Sequence, residues 1–201
     1  MTNYPRLTDL SPLTDEPDEF NVIIETPQKS RNKFDYDEEL NLFKLGGVLP
    51  AGAFFPFDFG FVPATLGGDG DPLDVLLLLD EPAHTGCLVV ARLVGVIEAE
   101  QTEEDGETTR NDRLIAVAAN SRTHRHVRTL DSLDEHLLDE IEHFFVSYNE
   151  IKGKRFQSLG RFGPARAAKV IEEGMESFRR RKRSARKVRS KPRAASKKRK
   201  G

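Results

Sequence analysis

The chain has 201 residues, 37% of them hydrophobic, with a net charge of −2 and one cysteine. That length and apolar content suit a single domain around one core. The lone Cys87 excludes an intrachain disulfide, and no run approaches the roughly 20 apolar residues of a membrane helix. The small net charge hides a division: residues 179 to 201 hold fourteen Lys or Arg and no acid, which leaves 17 basic and 33 acidic residues in the remainder.

Residues 1 to 19 carry three Pro and several acids, without the apolar stretch of a secretory signal. They read as a flexible or loosely docked N-terminal arm. An unpaired thiol suits a reducing compartment, so the expected location is the cytoplasm. From Phe20 to Glu25 the chain is β-rich and predicts a first strand. Lys33 to Tyr36 alternates polar and apolar, and Leu40 to Leu45 is placed to pair with it. Phe54 to Val62 is aromatic and broken by Pro56 and Gly60, an irregular strand and loop. Leu73 to Leu79 and Cys87 to Glu98 are the clearest strands, the second with Gly95 marking a bend or bulge. Glu100 to Asp112 reads as an acidic hairpin loop and Leu114 to Ala118 as the next strand.

The period then changes. Leu133, Leu137, Leu138, Ile141, Phe144, Phe145, Tyr148 and Ile151 recur at helical spacing. Ser132 and Glu135 suggest a capping box, and Gly153 a stop. A second helix is expected from about Pro164 to Phe178, with Ala168, Ile171, Met175 and Phe178 as its apolar face. Strands first and helices last make an α+β domain over residues 20 to 178. Short strands and bends favour a small closed barrel with two C-terminal helices packed outside. The tail, 179 to 201, has no apolar residue larger than Ala, Pro192 aside, after Val188; its first residues can extend the helix, and the rest is expected to be disordered.

One stretch carries chemistry. In Gly67-Gly68-Asp69-Gly70-Asp71-Pro72-Leu73-Asp74 three carboxylates fall within six residues, at the entry to a buried strand. The glycines permit a tight fold and Pro72 stiffens it. Like charges this close repel, so something must neutralise them. Oxygen donors suit a hard dication, Mg²⁺ with Mn²⁺ as an alternative, better than zinc. The plain alternative is a solvated acidic turn, since Asp, Gly and Pro are common turn residues. An EF-hand needs a later Gly and a Glu in its twelfth place, and neither is in register. His124-Arg125-His126 has no acidic neighbours and reads as surface.

Asp69-Gly70-Asp71-Pro72-Leu73-Asp74-Val75 resembles the signature of the soluble family I inorganic pyrophosphatases. Further segments resemble that family in order: Val22-Ile23-Ile24-Glu25-Thr26-Pro27, Phe55-Pro56-Phe57-Asp58-Phe59-Gly60-Phe61-Val62-Pro63, Val94-Gly95-Val96, Leu114-Ile115-Ala116-Val117 and His143-Phe144-Phe145-x-x-Tyr148. The resemblance implies a five-stranded OB-like barrel, a homo-oligomer, and Mg²⁺-dependent hydrolysis of pyrophosphate or a related phosphoanhydride. It implies Asp69, Asp71 and Asp74 as metal ligands, with Glu25, Glu103 and Asp112 as further acids of the metal site. Asp71 would also activate the attacking water, and Lys33, Arg113 and Tyr148 would bind phosphate. On spacing alone Tyr148 reads equally well as core, and Lys33 and Arg113 as solvated charges.

The chain also departs from that pattern. Gly46-Gly47 stands where the family carries an Arg, Phe55 and Phe59 replace two Tyr, and Asn149 replaces a Lys. The later acid pair falls near Glu103 and either Asn111 or Asp112. These losses leave open a second reading, a low-activity binding protein on the same scaffold. Fourteen tail cations suit nucleic-acid phosphates. The alternative, favoured by the absence of interleaved aromatics, is a tail that lies on the acidic body or aids solubility.

Overall fold

The computed structural model describes residues 5–189. Its strands are β1 (Glu19–Thr26), β2 (Asn32–Asp37), β3 (Leu42–Val48), β4 (Asp58–Phe61), β5 (Asp74–Leu78), β6 (Leu88–Thr102), β7 (Thr108–Arg110), β8 (Arg113–Ala118) and β9 (Arg155–Phe162), with helices α1 (Glu135–Glu150) and α2 (Pro164–Arg189). Five strands close on themselves in the order β1-β4-β5-β8-β6 and back to β1. The β5–β8 pair is parallel and the other four pairs of the ring are antiparallel. This is the five-stranded OB-like barrel that the resemblance implies. β7 and β9 lengthen the sheet along β6, and β2 and β3 form a separate hairpin.

The apolar run after Asp74 is continuous because both faces of β5 are covered. Leu76 and Leu78 enter one core cluster, with Ile97, Ile115 and Val117 from the barrel and Leu138, Ile141 and Phe145 from α1. Val75 and Leu77 enter the other, with Val22, Ile24 and Leu114 and with Ala167, Val170 and Ile171 from α2. Each fully buried Leu or Ile contributes about 1.5–3 kcal/mol over leaving it in water. The strand therefore anchors the acidic loop on one of the most buried parts of the molecule.

Bulges bend the ring. β1 shifts register between Ile24 and Thr26, which makes Glu25 the extra residue, and a bulge is a place where a side chain is re-aimed. β6 shifts between Leu93 and Gly95, the bend that Gly95 predicts. There the chain closes tightly, since a Cβ at Gly95 would lie 2.5 Å from the Phe162 carbonyl oxygen.

Several expectations need correction. The hairpin expected at Glu100 to Asp112 is present, but its arms are strand rather than loop: β6 runs on to Thr102 and pairs with β7, with the turn near Gly106. β9, between the helices, was not expected at all. α1 starts two residues later than the Ser132–Glu135 box implies: Leu130–Ser132 is a 3-10 turn, and Asp134 is the N-cap, accepting from the His136 amide at 2.8 Å. The buried face of α2 is Ala167, Val170, Ile171 and Gly174; of the face expected from the sequence Ile171 is buried and Met175 packs on the same cluster, while Ala168 and Phe178 are only half-buried. The helix also continues past Phe178 to Arg189. The rest of the tail, from 190 onward, lies outside the described residues.

Residues 5–18 lie against the body. The Ala64 amide donates to the Thr8 carbonyl at 2.8 Å, and Lys182 pairs with Asp9 at 2.6 Å. Among the described residues no helix is long and apolar enough to cross a membrane.

Candidate active site

The acidic loop is fixed by its own backbone. The Gly67 amide donates to the Asp71 carbonyl at 2.7 Å and the Asp71 amide to Asp69 Oδ1 at 3.1 Å. Gly70 has φ +90°, a conformation that favours glycine, so the chain can turn between the two aspartates. Thr65 Oγ1 donates to the Val62 carbonyl at 2.6 Å and accepts from the Leu73 amide at 3.0 Å, locking the base of the loop. Asp74 follows as the first residue of β5, opposite Arg113 of the parallel β8.

These residues border a cleft of about 460 Å³ at one end of the barrel. Asp69, Asp71, Asp74, Glu25, Lys33, Arg113 and Tyr148 all line it, so seven of the residues singled out in the sequence share one cavity. Arg113 Nη1 donates to Asp74 and to Asn111, and its guanidinium lies over the Phe145 ring at 4.9 Å. Lys33 Nζ is 2.9 Å from both Glu25 and Asp35 and stands 4.9 Å from the Phe59 ring centroid. Tyr148 is half-buried against Phe55 and Phe144 while its hydroxyl accepts from Lys152 Nζ at 2.5 Å. It is therefore both core and cleft wall. Phe55 and Phe59, 1% and 5% exposed, make the floor apolar, as expected from two Phe in place of Tyr.

The charges are strained in an informative way. The cleft walls desolvate Asp69, and Asp74 and Asp71 repel it, so its pKa is pushed up to about 6. Asp71 is raised too, by desolvation and then by Asp74, with Arg181 opposing the rise. Burial lifts the Glu25 carboxyl above its usual range, and the Lys33 ammonium and Tyr36 amide work against that lift. Burial opposes the charge on Lys33, yet Glu25 and Asp35 together outweigh it and hold the ammonium above its usual pKa.

Asp69 and Asp71, each raised by desolvation and by the charge of Asp74, present oxygen donors that fit a hard dication, which would reverse the repulsion. Among the described residues no three or more His, Cys, Asp or Glu side chains form a metal-holding cluster. Mg²⁺ does not require one, because it keeps several waters and uses one or two carboxylates plus substrate phosphates. The donor set suits Mg²⁺ or Mn²⁺ on these grounds.

Two expected acids do not line the cleft. Asp112 is buried beside the cleft, where its Oδ1 accepts from the Ala99 amide at 2.9 Å and from Arg110 Nε at 2.6 Å. Its neighbour Asn111 turns inward instead and donates to Gln101 Oε1 at 3.2 Å. Glu103 sits behind the wall, paired with Lys154 at 2.9 Å and accepting from Gln101 at 2.7 Å. The inward positions on this side are thus amides. The sequence reading also missed Lys152, Lys154 and Arg181, which line the cleft, as does Asn149, noted there only as the replacement of a Lys. A lone Lys near a helix end reads as a solvated charge complementing the dipole, and no signal in the sequence separates that from a site. The His124 region is a surface turn capped by Asp80, which accepts from Ser121 Oγ and the Arg122 and Thr123 amides.

A family model described as inorganic pyrophosphatase matches residues 22–179. Among curated proteins, an inorganic pyrophosphatase of Halalkalibacterium halodurans is 38% identical over 159 residues, covering 79% of this chain and 94% of its own. One from Synechocystis is 35% identical over 158 residues, covering 79% of this chain and 90% of its own. Among solved structures, the inorganic pyrophosphatase of Thermus thermophilus superposes with a TM-score of 0.79 at 32% identity, covering 87% of this chain and 99% of its own.

Proposed function

Because the chain belongs to the inorganic pyrophosphatase family, a family of hydrolases, we propose that this cleft takes pyrophosphate and that Asp69, Asp71 and Asp74, supported by Glu25, hold Mg²⁺ for its hydrolysis. The observation that carries the reading is the convergence of those acids with Lys33, Arg113 and Tyr148 on one cavity. When bound, the dication neutralises phosphate charge and lowers the pKa of a nearby water.

The residues of the chain do the rest. Asp71, at the exposed end of the loop with a raised pKa, accepts the proton of the attacking water as that water's oxygen bonds to phosphorus. The bridging P–O bond breaks and the leaving phosphate departs with its electron pair. Arg113 and Lys33 offset the charge that gathers on it, and both are already aimed by fixed carboxylate partners, so little reorganisation accompanies the reaction. Lys152, held against the Tyr148 hydroxyl, and Lys154 add positive charge along the same wall. No covalent intermediate is required.

Phosphate release measured on pyrophosphate, tripolyphosphate and ATP with Mg²⁺ tests this assignment. Turnover on pyrophosphate on the order of 1 to 1,000 per second is expected, with much slower release from the other two. No release above the chelator control would contradict it.

A further inference from the structure

We propose that Arg181, carried on the part of α2 beyond the family-matched segment, is an additional phosphate-binding residue of this cleft. The proposal rests on the pyrophosphate reading of the same cavity. The family match ends at residue 179, whereas α2 runs on to Arg189. That extension brings a cation back to the mouth of the cleft, which Arg181 lines.

The approach of α2 is fixed along its length. The Leu66 amide donates to the Gly174 carbonyl at 3.0 Å, and a Cβ at Gly174 would come within 2.7 Å of Leu73 Cδ1. Glycine is what lets the helix touch the base of the acidic loop. Two turns further on, Arg181 Nη1 donates to the Gly70 carbonyl at 2.9 Å. Lys182 beside it pairs with Asp9 at 2.6 Å and lies over the Phe178 ring at 4.8 Å. The helix end is thus clamped between the loop and the N-terminal segment.

The partners of the cleft cations set two of them apart, Arg181 and Lys152, and Lys152 is held at the Tyr148 hydroxyl. Lys33 is taken by Glu25 and Asp35, Arg113 by Asp74, and Lys154 by Glu103. Among the described residues Arg181 has no carboxylate partner; its one hydrogen bond is to a neutral carbonyl. A guanidinium carries five N–H donors in a planar fork, so one anchors the group while the others remain for an anion. Such a fork matches the paired oxygens of a phosphate. A preset cation at the mouth contributes to substrate binding more than to the bond-breaking step.

The test compares Arg181→Gln and Arg181→Lys with the wild type in the full chain, with melting temperature as a folding control. KM for pyrophosphate at saturating Mg²⁺ is expected to rise about tenfold in Arg181→Gln, with kcat within about twofold and partial recovery in Arg181→Lys. Calorimetric binding of imidodiphosphate, a non-hydrolysable analogue, is expected to weaken in parallel. The Mg²⁺ concentration for half-activation should stay level or fall, because a positive charge has left the neighbourhood of Asp71. An unchanged KM and analogue affinity would overturn the proposal. So would a raised Mg²⁺ requirement with unchanged KM, which would make Arg181 only a tether for the loop. A wild type that binds neither pyrophosphate nor the analogue would overturn the functional reading itself.

Discussion

Gly47 lies opposite Lys33 in the β2–β3 hairpin, and paired residues of an antiparallel ladder project on the same face. A Cβ there would meet nothing within 4 Å, so a longer side chain is accommodated. Gly47→Arg is expected to lower KM for pyrophosphate by about three- to tenfold by adding a charge-assisted contact. An unchanged KM would show that the cleft does not lack a cation on this side. Other residues show where sequence reading stops. Asp69, Asp71 and Asp74 are legible because three acids in a Gly-rich turn before an apolar run are hard to explain otherwise. Asp112 is not, because a shift of one residue exchanges inward and outward faces, and only the fold shows that Asn111 is the inward member. Glu103 fails for a related reason: β6 extends to Thr102, and the chain has already left the wall when it reaches the turn.

At the scale of elements, α1 carries Phe145, Tyr148 and Asn149 to the cleft, and its start depends on the Asp134 cap. Asp134→Ala is expected to cost about 1 kcal/mol, or about 2–4 °C in melting temperature for a chain of this size, with kcat unchanged because the cap is remote from the cleft. A thermal melt and a rate measurement check both halves; a large loss of kcat would mean that the helix start controls the site. The strands of the barrel were legible because the apolar runs are long and bounded by turn residues. β9 was not, because after Phe156 its more buried positions are Ser158 and Gly160 while Leu159 and Phe162 are exposed, so its residue types do not alternate, and it draws its pairing from β6 rather than from its own pattern. That α2 extends into the tail was legible, but where the extension docks was not. Its last turns contain few apolar residues, and their docking through Arg181 and Lys182 depends on partners far away in sequence.

At the scale of the molecule, the acids couple stability to pH and to metal. Asp58 and Asp69 have native pKa values of about 6, above the 3.8 of an unperturbed Asp, both because their surroundings desolvate the charge. Between those values the native state holds more protons than the unfolded state, so stability is full below the unfolded pKa and falls as pH rises through the native one. A dication on the acidic loop relieves Asp69 and leaves Asp58 as it was. The rise in melting temperature on adding Mg²⁺ is therefore expected to be larger at pH 7.5 than at pH 5, by differential scanning calorimetry. Equal increments at the two pH values would mean that the ion does not bind the aspartate loop.

The most direct check of the aspartate cleft is the rate of phosphate release from pyrophosphate by the wild type and by Asp71→Asn, measured across a range of Mg²⁺ concentrations. The wild type should be inactive without the ion and rise to saturation with it, while Asp71→Asn should fall by about 10²- to 10⁴-fold at every concentration. Equal rates for the two proteins, or a wild-type rate indifferent to Mg²⁺, would contradict the account.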